Sequence, residues 1–300
     1  MLILGFPESL TEAQLLADSL QATMAAVDIH RFPDGESLVT LPPQLPDTVV
    51  FLRGLHDPNS KLIELYLAIA TAKSLGCRRA ILVTPYLCYM RQDKVFHQGQ
   101  GISQQIIGDL LSGWVDDLIT VDPHLHRIAN LFEALPHCRS QALSAAPLLG
   151  DYLRNRGLGS SDCNGVLVGP DAESRQWVAQ VAERCGLDYV VASKIRSGDR
   201  SVQVTLPDYS YAGKEAILVD DVISSGNTMM EAARQLHDRG AVAVSAICTH
   251  GLFAPGAEAA MASAGINPVI TTNAIPHSSN KIDLSPLLAN AIKTLVSSRE

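Results

Sequence analysis

The sequence predicts an α/β protein made of two similar halves, each a mainly parallel sheet flanked by helices. Three observations carry that expectation. Short apolar runs alternate with helical patterns over most of the length, as when parallel strands are joined by helical crossovers. The 300 residues lie near the size at which one hydrophobic core divides into two. Leu82-Val83-Thr84-Pro85 leading to Arg91-Gln92 is echoed by Leu167-Val168-Gly169-Pro170 leading to Arg175-Gln176, a hint of duplication. The expected domains are 1–145 and 146–300, joined near Gln141–Leu153, with the last helix packing back on the first.

In chain order, Met1–Gly5 reads as a first strand, because no basic residues precede its short apolar run as they would in a signal peptide. Further strands are expected at Val49–Leu52, Ala80–Thr84, Leu118–Asp122, Gly165–Val168, Tyr189–Ala192, Ala216–Val219, Val242–Thr249 and Val269–Thr272. Between them, helical patterns fall near Asn59–Leu75, Ser103–Leu111, Ala172–Cys185, Thr228–Arg239 and Leu284–Val296. Ligands in such sheets gather at the C-terminal ends of the strands. An apolar fraction of 47% with 18% charged residues fits a soluble globular protein, and no apolar run reaches the length of a membrane span. A net charge of −8 argues against a nucleic-acid binder and provides no polybasic membrane anchor. The six cysteines are scattered without a C-x-x-C, a usage that suits the reducing cytoplasm and not a disulfide framework or zinc site.

The most informative stretch is Ala216-Ile217-Leu218-Val219-Asp220-Asp221-Val222-Ile223-Ser224-Ser225-Gly226-Asn227-Thr228. Four apolar residues fit a central parallel strand, apolar on both faces. Ser224 to Thr228 then offer hydroxyls and backbone N–H groups at a helix N-terminus, where the dipole favours an anion, and Gly226 allows close backbone approach. Asp220 and Asp221 beside an anion cradle make chemical sense if they grip sugar hydroxyls or a divalent cation. A phosphate at one end and a vicinal diol at the other describe a ribose 5-phosphate unit. The plainer alternative is a strand–turn–helix junction with a capping serine.

Other segments are weaker taken singly. Arg31-Phe32-Pro33-Asp34-Gly35-Glu36 contains a turn signal, but Phe32 can stack on a flat base while Asp34 or Glu36 accepts from an exocyclic amine. In Arg91-Gln92-Asp93-Lys94, Arg91 is suited to clamp a phosphate in bidentate fashion, or is an ordinary loop charge. Asp122-Pro123-His124-Leu125-His126 leaves a strand end with an acid and two histidines, which makes His124 either a hydrogen-bonded core residue or a group with a metal or proton role, including a hydrogen bond to a metal-bound water. Asp171 follows a strand as either an N-cap or the holder of a metal-bound water. Lys194 and Arg196 alternate in a basic stretch that is either a solvated surface loop or a pair of cations for the spread charge of phosphoryl or diphosphoryl transfer.

The order of these motifs along the chain resembles that in the ribose-phosphate pyrophosphokinase (5-phosphoribosyl 1-pyrophosphate, PRPP, synthase) family, over essentially the whole length. The likeness is to the branch with Ser at the Ser224 position. It implies two phosphoribosyltransferase-like domains and transfer of the β,γ-diphosphoryl group of Mg-ATP to the C1 hydroxyl of ribose 5-phosphate, giving PRPP and AMP. It further implies that Phe32, Asp34 and Glu36 contact adenine, from a neighbouring subunit of a homo-oligomer. Arg91, Gln92 and Lys94 would lie near the nucleotide, and His124 beside magnesium and the triphosphate. Asp171 would sit by ribose 5-phosphate and the metal, Lys194 and Arg196 would serve as transition-state cations, Asp220 and Asp221 would bind the ribose hydroxyls, and Ser224, Ser225, Gly226, Asn227 and Thr228 the 5-phosphate. Neither nucleic acid nor membrane is an expected partner. Asn227 departs from the Gly usual there; Asn tolerates positive φ, so the turn is expected to survive with altered contacts. The alternatives are a PRPP-using phosphoribosyltransferase, which leaves the N-terminal motifs without work, and a non-catalytic regulatory homologue.

Overall fold

The computed structural model describes residues 1–125, 127–158, 164–197 and 201–297, with 194–197 and 201–203 as backbone alone. Two compact units are present. The first takes in Met1–Leu143, Ala274–Pro276 and the chain from Leu284; the second takes in Ser144–Asn273 and His277–Asp283.

In the first unit, β1 (Leu2–Gly5), α1 (Leu10–Leu20) and β2 (Thr23–Ala26) are followed by a hairpin, β3 (Asp28–Arg31) and β4 (Ser37–Thr40). Then come β5 (Thr48–Leu52), α2 (Pro58–Ser74), β6 (Arg79–Thr84), α3 (Ser103–Ser112), β7 (Asp117–Val121) and β8 (Arg139–Leu143). Six strands form one sheet in the order β2-β1-β5-β6-β7-β8, every neighbouring pair parallel. The central strands β5, β6 and β7 are buried along almost their whole length, with apolar residues on both faces. Phe51, Leu82 and Leu118 meet Leu65 and Ile69 of α2 in one core cluster. Pro58 opens α2 at a position where its missing N–H costs nothing.

The second unit runs α4 (Ala146–Asn155), β9 (Gly165–Gly169), α5 (Arg175–Cys185), β10 (Tyr189–Val191), and a hairpin of β11 (Ser193–Ser197) and β12 (Ser201–Thr205). It continues with β13 (Glu215–Ile223), α6 (Asn227–Asp238), β14 (Ala243–Gly251), α7 (Ala257–Ser263), β15 (Ile266–Thr272) and β16 (Asn280–Ile282). The sheet order is β10-β9-β13-β14-β15-β16, again all parallel. The last helix, α8 (Ser285–Ser297), belongs to the first unit and packs on α1. Its Leu295 carbonyl accepts from Arg79 Nη2 at 3.1 Å, and buried Asp117 holds Arg79 Nε at 2.7 Å.

Counting only sheet strands, both units follow the order 2-1-3-4-5-6, each with a hairpin inserted between its second and third strands. The duplication is therefore real, but the motif pair that suggests it is not the equivalent pair. Leu82–Pro85 leaves the fourth strand of its sheet and Leu167–Pro170 the first of its own. The equivalents are β9 with β1 and β13 with β5. The joint near Gln141–Leu153 is mostly regular structure, the end of β8 and most of α4. The helix expected from Ala172 begins at Arg175, after a 3-10 turn capped by Asp171.

Candidate active site

Strand order reverses between β9 and β13, so the second sheet has its crevice at their C-terminal ends. Sequence and topology place three carboxylates there. β13 does not stop at Val219 but continues to Ile223, so Asp220 and Asp221 are successive strand residues on opposite faces. Asp221 is buried and Asp220 is partly exposed. Asp220 Oδ1 accepts the Asp221 N–H at 3.0 Å. Asp171, just past β9, is buried and its Oδ1 accepts the N–H groups of Glu173 (3.1 Å) and Ser174 (3.3 Å). Burial, and then the charges of Asp221 and Asp171, push the Asp220 carboxyl well above the usual range. Such crowding is relieved by hydroxyl donors or by a cation.

Beyond Ile223, residues Ser224 and Ser225 bend into Gly226, and α6 starts at Asn227. Gly226 is the N-cap, at φ +74°, and has no side chain to offer the first-turn amides. Those N–H groups, with the hydroxyls of Ser224, Ser225 and Thr228, leave a helix N-terminus suited to a phosphate. The left-handed residue is Gly226. Asn227 is the first helical residue and takes no positive φ, so tolerance of Asn for that region is not what preserves the turn. Ala254 N–H donates to Ser224 O at 3.0 Å and ties the loop to the segment after β14.

Lys194 and Arg196 are two positions apart on β11, opposite Val204 and Val202 of β12. Their side chains lie outside the described residues, as does all of His126.

In the first unit the candidate residues occupy three loops. Phe32, Asp34 and Glu36 form the exposed turn of the β3–β4 hairpin. The turn is closed by Phe32 N–H to Glu36 O at 2.8 Å and Gly35 N–H to Phe32 O at 2.9 Å, with Gly35 at φ +93°. The turn reading of this motif describes it, and the turn leaves Phe32 41% exposed. Arg91, Gln92 and Lys94 follow β6 and are exposed, while Asp93 among them is buried. Both Asp93 oxygens accept from Arg127 Nη1, at 2.8 and 2.7 Å. That pair ties the loop after β6 to the loop after β7 that carries His124. Asp122, at the start of the latter loop, sits at φ +39° with its N–H donated to Leu143 O. His124 belongs to the first unit and Asp171 to the second.

Sequence reasoning assigned nothing to Arg53, Glu64 or Glu8, yet they form a buried charge cluster in the first unit. Arg53 is fully buried: Nε donates to Glu8 Oε1 at 2.8 Å, Nη1 to Lys61 O at 2.9 Å, and Nη2 to Glu64 Oε2. The guanidinium also lies 4.2 Å over the Phe6 ring. A signal was present: Glu64 interrupts the apolar face of α2 one residue before buried Leu65.

A doubled parallel α/β architecture, with an anion-compatible loop and a carboxylate pair at the switch point of its second sheet, defines a phosphoribosyl-type fold class. Known proteins narrow this further. Residues 1–114 match the N-terminal domain of ribose phosphate pyrophosphokinase, and residues 204–299 match the phosphoribosyl synthetase-associated domain. A ribose-phosphate pyrophosphokinase of Methanopyrus kandleri is 33% identical, over 98% of this chain and 99% of that protein. One from Sulfolobus acidocaldarius is 31% identical, over 97% and 100%. The crystal structure of phosphoribosylpyrophosphate synthetase from Mycobacterium smegmatis superposes with a TM-score of 0.82 at 25% identity, covering 99% of both chains. The chain belongs to the ribose-phosphate pyrophosphokinase family.

Proposed function

We propose that the protein transfers the β,γ-diphosphoryl group of Mg-ATP to the C1 hydroxyl of ribose 5-phosphate, releasing AMP and forming PRPP. One observation carries this reading: a carboxylate pair and an amide-lined loop meet at the end of β13, in a chain with full-length ribose-phosphate pyrophosphokinase relatives. The second unit holds the sugar phosphate. Asp220 and Asp221 accept from its hydroxyls, the Ser224–Thr228 loop takes the 5-phosphate, and Asp171 lies alongside. The first unit meets the nucleotide's phosphates through Arg91, Gln92, Lys94 and His124, while Phe32, Asp34 and Glu36 of a neighbouring subunit meet the base.

The C1 hydroxyl attacks the β-phosphorus, and the bond from that phosphorus to the AMP oxygen breaks. The step needs alignment and positive charge more than covalent help. Lys194 and Arg196 supply cations where charge develops. Among the described residues no group of three or more His, Cys, Asp or Glu side chains forms a metal site by itself. Magnesium commonly keeps water and substrate oxygens as most of its ligands; His124 and Asp171 would each meet it, directly or through a coordinated water. When bound, it neutralises phosphate charge. Adenine contact from a neighbouring subunit makes the working enzyme a homo-oligomer, and ATP supply and the scattered thiols fit the cytoplasm. Among the described residues no helix is long and apolar enough to cross a membrane.

The deciding experiment incubates the protein with Mg-ATP, with and without ribose 5-phosphate, and separates the products. Sugar-dependent AMP with an equal amount of PRPP is expected, and Lys194→Ala is expected to lower the rate more than about tenfold. ADP in place of AMP, or no turnover although ATP binds, overturns the reading; the second result is that of a regulatory homologue. PRPP consumption with a base would mark a phosphoribosyltransferase.

A further inference from the structure

The buried cluster around Arg53 occupies the first sheet's own switch point, between β1 and β5, and one of its members reaches the hairpin. Glu64 is essentially buried, yet Oε1 accepts from Arg31 Nε at 2.8 Å and from Ser37 Oγ at 3.3 Å. Arg31 ends β3 and Ser37 begins β4, so Glu64 grips both strands where the 32–36 turn starts and finishes. Its other oxygen is held by Arg53, which is itself fixed by Glu8 and by the Lys61 carbonyl. Burial works against the Glu64 charge, but hydrogen bonds from Arg31 and Arg53 outweigh it and hold the carboxyl below its ordinary pKa, so it is ionised at neutral pH. An anion buried inside a helix face is costly unless every lone pair has a donor. Here the donors include both flanks of an exposed turn whose other contacts, the β3–β4 ladder and the edge-to-face His30–Phe32 pair, lie within the hairpin itself. The turn's own bonds are local, and Phe32, Asp34 and Glu36 are all exposed.

We infer that Glu64 is a positioning residue for nucleotide binding: through Arg31 and Ser37 it fixes the 32–36 turn in the shape that receives the base. The inference rests on the reading that this turn contacts the nucleotide. In the ligand-free protein the clamp fixes the turn beforehand, so binding does not have to order it.

The test uses Arg31→Met with Ser37→Ala, which keep the Arg53–Glu64 bond but strip Glu64 Oε1 of these two donors, so folding is first checked by the melting curve; Arg31 is 61% exposed at its side chain. The expected result is a KM for ATP raised about tenfold, with kcat and the KM for ribose 5-phosphate within about twofold. Amide exchange at Phe32 and Gly35, measured without nucleotide, should also quicken at least tenfold. A raised KM with unchanged exchange means that Arg31 touches the nucleotide itself, and overturns the inference. So does an unchanged KM. Phe32→Ala separates the two levels: if it leaves the KM for ATP unaltered, the nucleotide reading of the turn fails. If it raises that KM while the double variant does not, only the role of Glu64 fails. Glu64→Gln, checked for folding by its melting curve, should reproduce the double variant.

Discussion

Asp220 shows how the site spends stability. Partly exposed at the end of the sheet, it has two carboxylates for neighbours, and desolvation together with their charges holds its pKa well above the usual range. A carboxyl whose folded pKa is raised binds its proton more tightly folded than unfolded. Its contribution to stability is then fully present below the unfolded pKa and is lost as pH rises through the folded one. Asn cannot ionise and loses nothing across that interval. Asp220→Asn should thus melt close to the wild type near pH 4, the ordinary carboxylate range, and increasingly above it toward neutrality. Each kcal/mol relieved corresponds to roughly 2–4 °C in a chain of this size class. Thermal melts across that range, without divalent cation, check it; a gap that closes as pH rises contradicts the assignment. The same variant should lose most of its synthase activity. Residues that weaken the resting fold and serve the reaction are common at functional sites.

At the scale of elements, the junction of β13 and α6 concentrates the phosphate chemistry, and Gly226 is its hinge. An Ala there enters the left-handed region, at about 1–2 kcal/mol. Its Cβ would also stand 2.8 Å from Met261 Sδ, so the α7 side chain has to swing aside. Gly226→Ala should lower the melting temperature by several degrees and raise the KM for ribose 5-phosphate about tenfold. Asn227→Gly, one residue into the helix, should change that KM less than about threefold; a larger effect would return the special conformation to Asn227. The strand–loop–helix unit was legible because its residues are contiguous: an apolar run, two acids and a small polar loop. Strands buried on both faces, such as β6, β7 and β13, were legible for the same reason. Not read from the sequence were α1 and α4, and the two hairpins, whose strands are short and partly polar. Beyond the break that Glu64 makes in the apolar face of α2, the Arg53 cluster left no trace in one dimension, since Glu8 lies 45 residues from Arg53 and Arg31 lies 33 from Glu64. Each of these reads alone as an ordinary surface charge, and only the fold brings them together.

The molecule as a whole is one sheet plan used twice, with the two switch points put to different ends. In the second unit the crevice between β9 and β13 is lined by acids, and the helix after β13 begins with amides that a phosphate can reach. The corresponding crevice of the first unit, between β1 and β5, is filled by the protein itself. Arg53 lies there fully buried against Phe6 and Glu8, and Lys61 Nζ donates to Gly54 O at 3.1 Å. The helix that follows opens with Pro58, which has no N–H to give an anion. The hairpins stand at the same insertion point in both units and have diverged alike, one carrying Phe32, Asp34 and Glu36, the other Lys194 and Arg196. This asymmetry predicts a stoichiometry. A duplicated phosphosugar fold with two open crevices would bind two molecules of ribose 5-phosphate per chain, whereas this one should bind a single molecule. Isothermal titration with the sugar phosphate alone should give one site per chain, abolished by replacing Ser224 and Ser225 with bulky residues. A second site of comparable affinity that survives those replacements would mean that the Arg53 cluster opens, and that the first crevice is still a phosphate site.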